Sequence, residues 1–219
     1  MWVFTNGQYV HLKLRETREA TVVHDLLTNY QGVLISDFYS GYDSIKCAQQ
    51  KCWVHLIRDL NDDLTEAIFD TELEKLVLDV RDLIIPIMEC IQKYGLRQRY
   101  LRKFQENVER FYKKSIIDVQ YKSDLAAKYQ KRFIRYKDSL FTFLEKDGIS
   151  WHNNPAEWAI RPIAKQRAVS SSFTASAIED YLVFLGIRQT CRSQNKSFFK
   201  FLFSGETDLD QFEARKRKR

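Results

Sequence analysis

The sequence predicts an α/β protein whose core is interrupted by a long helical segment. Three observations predict it. A hairpin signal, a helix and an apolar strand follow one another within the first 36 residues. Three helical periodicities then run from Leu73 to Phe143, and a mostly apolar helical region follows further on. With 219 residues, 44% of them hydrophobic and 14% aromatic, the chain can bury a core as one domain or as one domain carrying an insertion.

The elements follow in order. Trp2-Val3-Phe4-Thr5 and Tyr9 to Leu14 flank Asn6-Gly7, the best short hairpin signal present. Thr17 is placed to cap a helix reaching Leu27, with Val22, Val23, Leu26 and Leu27 on its buried side. Gly32 to Ser36 is a continuous apolar strand, expected to be central and covered on both faces, and it delivers Asp37 at its C-terminal end. A strand at the very start, with Trp2 as its second residue, suggests a neighbouring strand upstream. Phe38 to Tyr42 forms a turn, Asp43 is expected to cap or face solvent, and Lys46 to Cys52 is a short strand candidate.

From Leu73 the apolar positions 73, 76, 77, 80, 83, 84, 87, 88 and 91 make one helical stripe, in which Pro86 should kink or divide the helix. A second stripe uses Leu101, Phe104, Val108, Phe111 and Tyr112. A third uses Leu125, Tyr129, Phe133, Tyr136, Leu140 and Phe143. Repetition at helical spacing assigns these aromatics to a bundle core rather than to base-stacking platforms.

Trp151 to Pro162 reads first as a helix start. Asn154 suits the N-cap, Pro155 the first helical position, and Glu157 lies three residues after the cap. That reading needs no chemistry. A strand-end Asp37 and a first-turn Glu157 are also the hard oxygen ligands on rigid elements that metal-dependent phosphoryl transfer requires. Ile178 to Cys191 is a mostly apolar helix, Ser197 caps another, and Gly205 stops it. The Arg215 to Arg219 tail is expected to be disordered.

Charge is unevenly placed. The net +6 divides into −7 over residues 1–92, +10 over 93–137 and +3 over 138–219. A basic block beside an acidic region is the footprint of a phosphate-binding surface, although a solvated helical face would also carry it. The candidate phosphate contacts are Arg97, Arg99, Arg102, Lys103, Arg110, Lys113 and Lys114, then Lys128, Lys131, Arg132 and Arg135, and beyond Glu157 also Arg161, Lys165 and Arg167. Cys52-x-x-His55 is half of a zinc pattern without a second pair. Four scattered cysteines do not make a disulfide framework. No run approaches ~18 apolar residues, and no signal core opens the chain, so a cytoplasmic protein without a membrane partner is expected.

Three ordered motifs carry a resemblance. Ser36-Asp37-Phe38-Tyr39-Ser40-Gly41-Tyr42-Asp43, Cys52-Trp53-Val54-His55-Leu56-Ile57-Arg58 and Asn153-Asn154-Pro155-Ala156-Glu157-Trp158-Ala159-Ile160-Arg161-Pro162 resemble the catalytic region of insertion sequence 66 family transposases. The resemblance runs from about residue 1 to about residue 205. It implies a DDE enzyme with an RNase H-like core, incomplete here because its first strand is missing, carrying a large all-helical insertion and C-terminal helices. The implied segments are 1–59 and 149–205 for the core, 60–148 for the insertion and 206–219 for a basic tail.

Asp37 would match the second acidic residue and Glu157 the third, both catalytic and both metal ligands. His55 and Asn154 would support them from behind. The implied cofactor is Mg2+ or Mn2+, two ions in a complete site, and the implied partner is DNA, as transposon ends and target. A homo-oligomer or a separate N-terminal transposase segment would complete the assembly, in the bacterial cytosol or nucleoid. The first acidic residue has no counterpart, since residues 1–15 contain neither Asp nor Glu. The chain alone is therefore expected to be inactive. Two other readings stand beside this one: a non-catalytic DNA-binding remnant or regulator of a mobile element, and a hydrolase or nuclease using Asp37, His55 and Glu157.

Overall fold

The computed structural model describes residues 1–15, 21–169 and 175–212, with the backbone alone at 166–169 and 175–176. Thr17, the Ser170 to Ser172 run and the Arg215 to Arg219 tail lie outside the described residues. By packing, the chain divides into two units, Met1–Glu19 with Asn154–Arg219, and Ala20–Asn153. The protein mixes helices with small sheets, an α/β composition weighted toward helix.

In the first unit, β1 (Trp2–Thr5) and β2 (Val10–Lys13) pair antiparallel, with Trp2 opposite Lys13 and Thr5 opposite Val10. The expected Asn6-Gly7 turn joins them. Asn6 Oδ1 accepts from the backbone N–H groups of Gln8 and Tyr9 at 3.0 and 2.9 Å, replacing ladder bonds that the turn cannot make. The hairpin packs against α8 (Asn154–Val169) and α9 (Ala175–Ser193), burying Leu12 with Ile163, Leu182 and Leu185. Gly186 permits that approach: a Cβ there would come within 3.1 Å of the Val10 carbonyl oxygen. One turn on, Thr190 Oγ1 accepts from the Val10 N–H at 3.0 Å, so α9 also occupies a donor of β2. The last helix, α10 (Phe198–Ser204), starts with Ser197 Oγ accepting from Lys200 N–H. It stops at Gly205, whose φ of 72° is left-handed. Both ends are where the sequence puts them.

In the second unit, α1 (Thr21–Leu27) buries Val22 and Val23 but leaves Leu26 exposed. The strands β3 (Val33–Ser36) and β4 (Ala48–Lys51) pair in parallel, Val33 opposite Ala48 and Ser36 opposite Lys51. Among the described residues β4 is the only strand bonded to β3, and Val33, Leu34 and Ile35 are half-buried. The expectation of a strand covered on both faces is corrected to that extent.

The buried residues of this pair are polar ones of β4. Gln50 is fully buried, its Nε2 donating to the carbonyls of Leu140 and Lys51 at 2.9 and 2.8 Å and its Oε1 accepting from Phe143 N–H at 3.0 Å. A buried amide is stable only with such a complete set of partners. Thr142 Oγ1 donates to the Gln49 carbonyl at 2.6 Å, and Trp53 Nε1 to the Leu140 carbonyl, also at 2.6 Å. The helical region is thus bolted to the strand pair.

Residues 60–148 are helical apart from short turns. After α2 (Trp53–Glu66), α3 (Thr71–Tyr94) begins at Asp70, which accepts from Leu73 N–H at 2.9 Å. Pro86 does not divide α3. The proline lies on the exposed side, where water can take the carbonyl it leaves without a donor, while Leu83, Ile84 and Ile87 stay buried around it. The short α4 (Gln98–Leu101) leads to α5 (Gln105–Phe111), which widens into a π-helical turn at Tyr112–Ile117. Then come α6 (Asp124–Arg135) and α7 (Lys137–Leu140). The predicted aromatics form the core: Phe133 packs its ring against Trp53, Phe111 and Tyr112.

Candidate functional site

Asp37 follows directly on β3. Its Oδ1 accepts from the Tyr39 N–H at 3.0 Å, which turns the chain into a short 3-10 segment at Ser40–Tyr42 and orients the carboxylate. Directly behind it, Ser36 is buried and its Oγ donates to the Asp37 carbonyl at 3.0 Å. The side chain of Lys51 lies beside Ser36, with its Nζ 3.4 Å from Ser36 Oγ and 3.1 Å from Asp43 Oδ1.

Lys51 is 1% exposed. Burial pulls its ammonium below the ordinary lysine range, and Asp43, with a smaller contribution from Asp37, works against that pull. Asp43 in turn accepts from Arg135 at 2.6 Å and from the Tyr136 hydroxyl at 3.1 Å. Partial burial opposes its charge, but Lys51 and Arg135 outweigh burial and hold the carboxyl below the usual range. As expected, Asp43 closes the 3-10 segment and is exposed, and it also joins the Asp37 loop to α6. No local signal reveals this, since the partners lie 8, 92 and 93 residues away.

Cys52, between β4 and α2, ties two chain segments together. Its backbone N–H donates to the Ser36 carbonyl at 2.8 Å, one residue before Asp37. Its Sγ accepts from the Asn153 N–H at 3.4 Å, immediately before α8, and the adjacent Trp53 N–H donates to the Trp151 carbonyl at 2.9 Å. Burial would push the thiol up, yet hydrogen bonds from His55 and the Asn153 N–H bring it below the ordinary cysteine value. So the Cys52-x-x-His55 spacing makes a thiol–imidazole pair in the first turn of α2. Among the described residues no group of three or more His, Cys, Asp or Glu side chains is arranged to hold a metal ion.

Glu157 lies in the first turn of α8, half-buried, in the other unit from Asp37. The helix begins at Asn154 itself, one residue before the expected first helical position, a difference within the ordinary ambiguity of helix ends. Arg161 and Lys165 are exposed further along the same helix, and the Arg167 side chain lies outside the described residues.

The basic block separates into two groups. Arg97, Arg99, Arg102, Lys103, Arg110, Lys113 and Lys114 are all exposed, and the only acidic partner to any of them among the described residues is Asp79, 4.0 Å from Lys114 Nζ. Three of the four cations of α6 are engaged instead: Lys128 with Asp63 at 2.6 Å, Arg132 with Asp59 at 2.7 Å and Arg135 with Asp43 at 2.6 Å, while Lys131 is exposed. These three fasten α6 to α2 and to the Asp37 loop, so each already holds an acidic partner within the chain. The sequence hides that pairing because each acid lies 65 or more residues upstream.

No helix among the described residues is long and apolar enough to cross a membrane. No curated protein and no solved structure matches the chain. A family model described as Transposase IS66 family matches residues 1–178, a span that holds both acidic residues, Cys52, His55 and the whole basic block. The chain belongs to the IS66 family of transposases.

Proposed function

We propose that this chain is the catalytic region of a DDE transposase acting on DNA ends, with Asp37 as the second and Glu157 as the third acidic residue. The observation that carries the reading is that the family match includes an aspartate at the end of a strand and a glutamate in the first turn of a helix. An RNase H-like core belongs to the same reading, supported by an antiparallel strand pair and a parallel one. Asp37 and Glu157 offer the carboxylate oxygens that Mg2+ or Mn2+ prefers. Such ions, when bound, stabilise charge on the attacking and leaving oxygens of the phosphodiester.

This chain's own residues supply orientation and charge. The Tyr39 N–H and the Ser36 hydroxyl fix the Asp37 loop, Cys52 and Trp53 fix the approach to α8, and the exposed cations from Arg97 to Lys114 take phosphates. Residues 1–15 hold no carboxylate. On this reading the 219-residue chain assayed by itself neither nicks nor joins DNA, because phosphoryl transfer depends on fixed positioning by a full ligand set. A second reading, a DNA-binding protein of a mobile element without catalysis, is favoured by the exposed cations from Arg97 to Lys114.

The test uses an end-containing duplex in Mg2+ or Mn2+. The chain alone should leave it intact, and a chain extended by an acidic N-terminal strand should nick it, with the activity lost in Asp37→Ala and Glu157→Ala. Nicking that survives both substitutions overturns the assignment, and no nicking by the extended chain favours the second reading. For binding, affinity for duplex DNA should fall steeply with salt. Arg102→Ala and Lys103→Ala should each reduce the slope by about 1, whereas Lys128→Ala should leave it unchanged because Asp63 already holds that ammonium.

A further inference from the structure

The four tryptophans differ sharply in setting. Trp2 and Trp53 are 5% and 0% exposed, and Trp151 is half-buried. Trp158 is 59% exposed, on the turn of α8 that carries Glu157. A single exposed ring is ordinary on a protein surface, and what sets Trp158 apart is the charge placed beside it. The Arg161 guanidinium stands 5.7 Å from the centre of the Trp158 ring, and Lys165 is exposed one further turn along. Positions 158, 161 and 165 fall at the three- and four-residue steps that align on one side of a helix. The result is an aromatic face at the Glu157 end, followed by two cations along one stripe.

We infer that Trp158, Arg161 and Lys165 form a stacking platform for an unpaired nucleobase of a DNA strand. The inference rests on the DNA-acting reading above. It adds a binding site for single-stranded DNA built from residues other than the exposed cations at 97–114. The ligand class follows from the chemistry. An indole face offers stacking area to any base, a guanidinium beside it strengthens that contact, and the two cations suit the phosphates that flank the base. A paired base is already stacked on both faces and presents only its edges, so the platform selects bases that have left the helix. A peptide partner would have to bring aromatic or acidic side chains; a DNA strand brings π faces and phosphates together.

The experiment is a binding titration of the 219-residue chain with a short oligothymidine strand and with a duplex of the same length, read by tryptophan emission and by anisotropy of labelled DNA. Wild type is compared with Trp158→Phe and Trp158→Ala. The single strand should quench the emission of the wild type, and that quenching should be lost in both variants. Single-strand affinity should hold within about threefold in Trp158→Phe, which keeps a ring, and fall about tenfold in Trp158→Ala, while duplex affinity stays unchanged in both. Equal quenching in wild type and Trp158→Phe, or an alanine effect equal for single strand and duplex, overturns the platform and leaves the DNA-acting reading standing. A chain that binds neither DNA overturns both.

Discussion

The unit Ala20–Asn153 and the unit made of Met1–Glu19 with Asn154–Arg219 bury apolar surface in different ways. The first has one continuous core of 23 residues, rich in aromatics and running from Trp53 to Leu144. Among the described residues the second shows two small clusters, Leu12 with Ile163, Leu182 and Leu185, and Cys191 with Phe201 and Phe212. Both units leave large apolar side chains more than half exposed, Ile68, Phe69, Ile117 and Ile134 in the first and Val183, Phe184, Phe199 and Phe203 in the second, so the difference lies in the size of the core. Hydrophobic stabilisation follows buried area, so the helical unit should be the more robust one.

The largest expected effect tests that inequality. Phe133→Ala removes a ring with no exposed surface from the centre of the aromatic core and should cost about 3–5 kcal/mol. Leu182→Ala in the smaller cluster should cost about 2–3 kcal/mol, its neighbours being freer to close the gap. In denaturant followed by hydrogen exchange, Leu182→Ala should lower the first unfolding step and Phe133→Ala the second. Both substitutions moving one shared step would break the comparison.

A smaller effect separates the two halves of the Lys51–Asp43 pair. Asp43→Ala leaves a fully buried ammonium without its carboxylate and should cost about 2 kcal/mol, toward the low side because the Asp43 side chain is 25% accessible. Lys51→Met removes the buried charge itself and leaves Asp43 with Arg135, so thermal unfolding should show a change within about 1 kcal/mol. Equal losses from the two variants would mean that the pair as such, rather than the cost of isolating Lys51, stabilises the loop.

Much of the architecture was legible locally. The Asn6-Gly7 hairpin, the stripes at Leu73 to Ile91 and Leu101 to Tyr112, the Ser197 cap and the Gly205 stop are short-range patterns, and each is where the sequence places it. What escaped lies at long range. The strand Ala48–Lys51 falls within the expected Lys46 to Cys52, but nothing in it marks its last two side chains as buried, because their partners are at residues 36, 43, 140 and 143. The same holds for α6, whose basic face reads as solvent-facing until Asp43, Asp59 and Asp63 are placed against it. Pro86 does not divide α3 for a different reason: a helix tolerates proline where the freed carbonyl meets water and the opposite face is well packed. Of the candidate site, the strand end and the helix start were legible, whereas the Cys52 link from Ser36 to Asn153 was not.

The mildest prediction uses pH. Burial raises Tyr112, Tyr121, Tyr129 and Tyr136 above the ordinary tyrosine value, Tyr121 to about 12, and all four belong to the helical unit. A phenol raised in the folded state keeps its proton after the unfolded chain has lost it. Its stabilising contribution is therefore complete below pH ~10 and is lost as pH rises toward the folded value. Stability of the helical unit, followed by circular dichroism, should decline above pH ~10 more steeply than that of the other unit. A flat profile to pH ~12 would contradict the burial of these hydroxyls.

The bonds from Gln50 and Trp53 to Leu140 and Phe143 also set an order of events. They span 87 to 93 residues, so the parallel strand pair can lock only after that length of chain has been closed into a loop. During synthesis the segment bearing Asp37 would leave the ribosome first and be immobilised last, once residues 140–143 have emerged to hold Gln50. Pulse-labelled hydrogen exchange would then find late protection at Val33 to Ser36 and early protection within α3. A nascent chain assembled in that sequence has no finished acidic loop to offer to DNA until its helical region is complete.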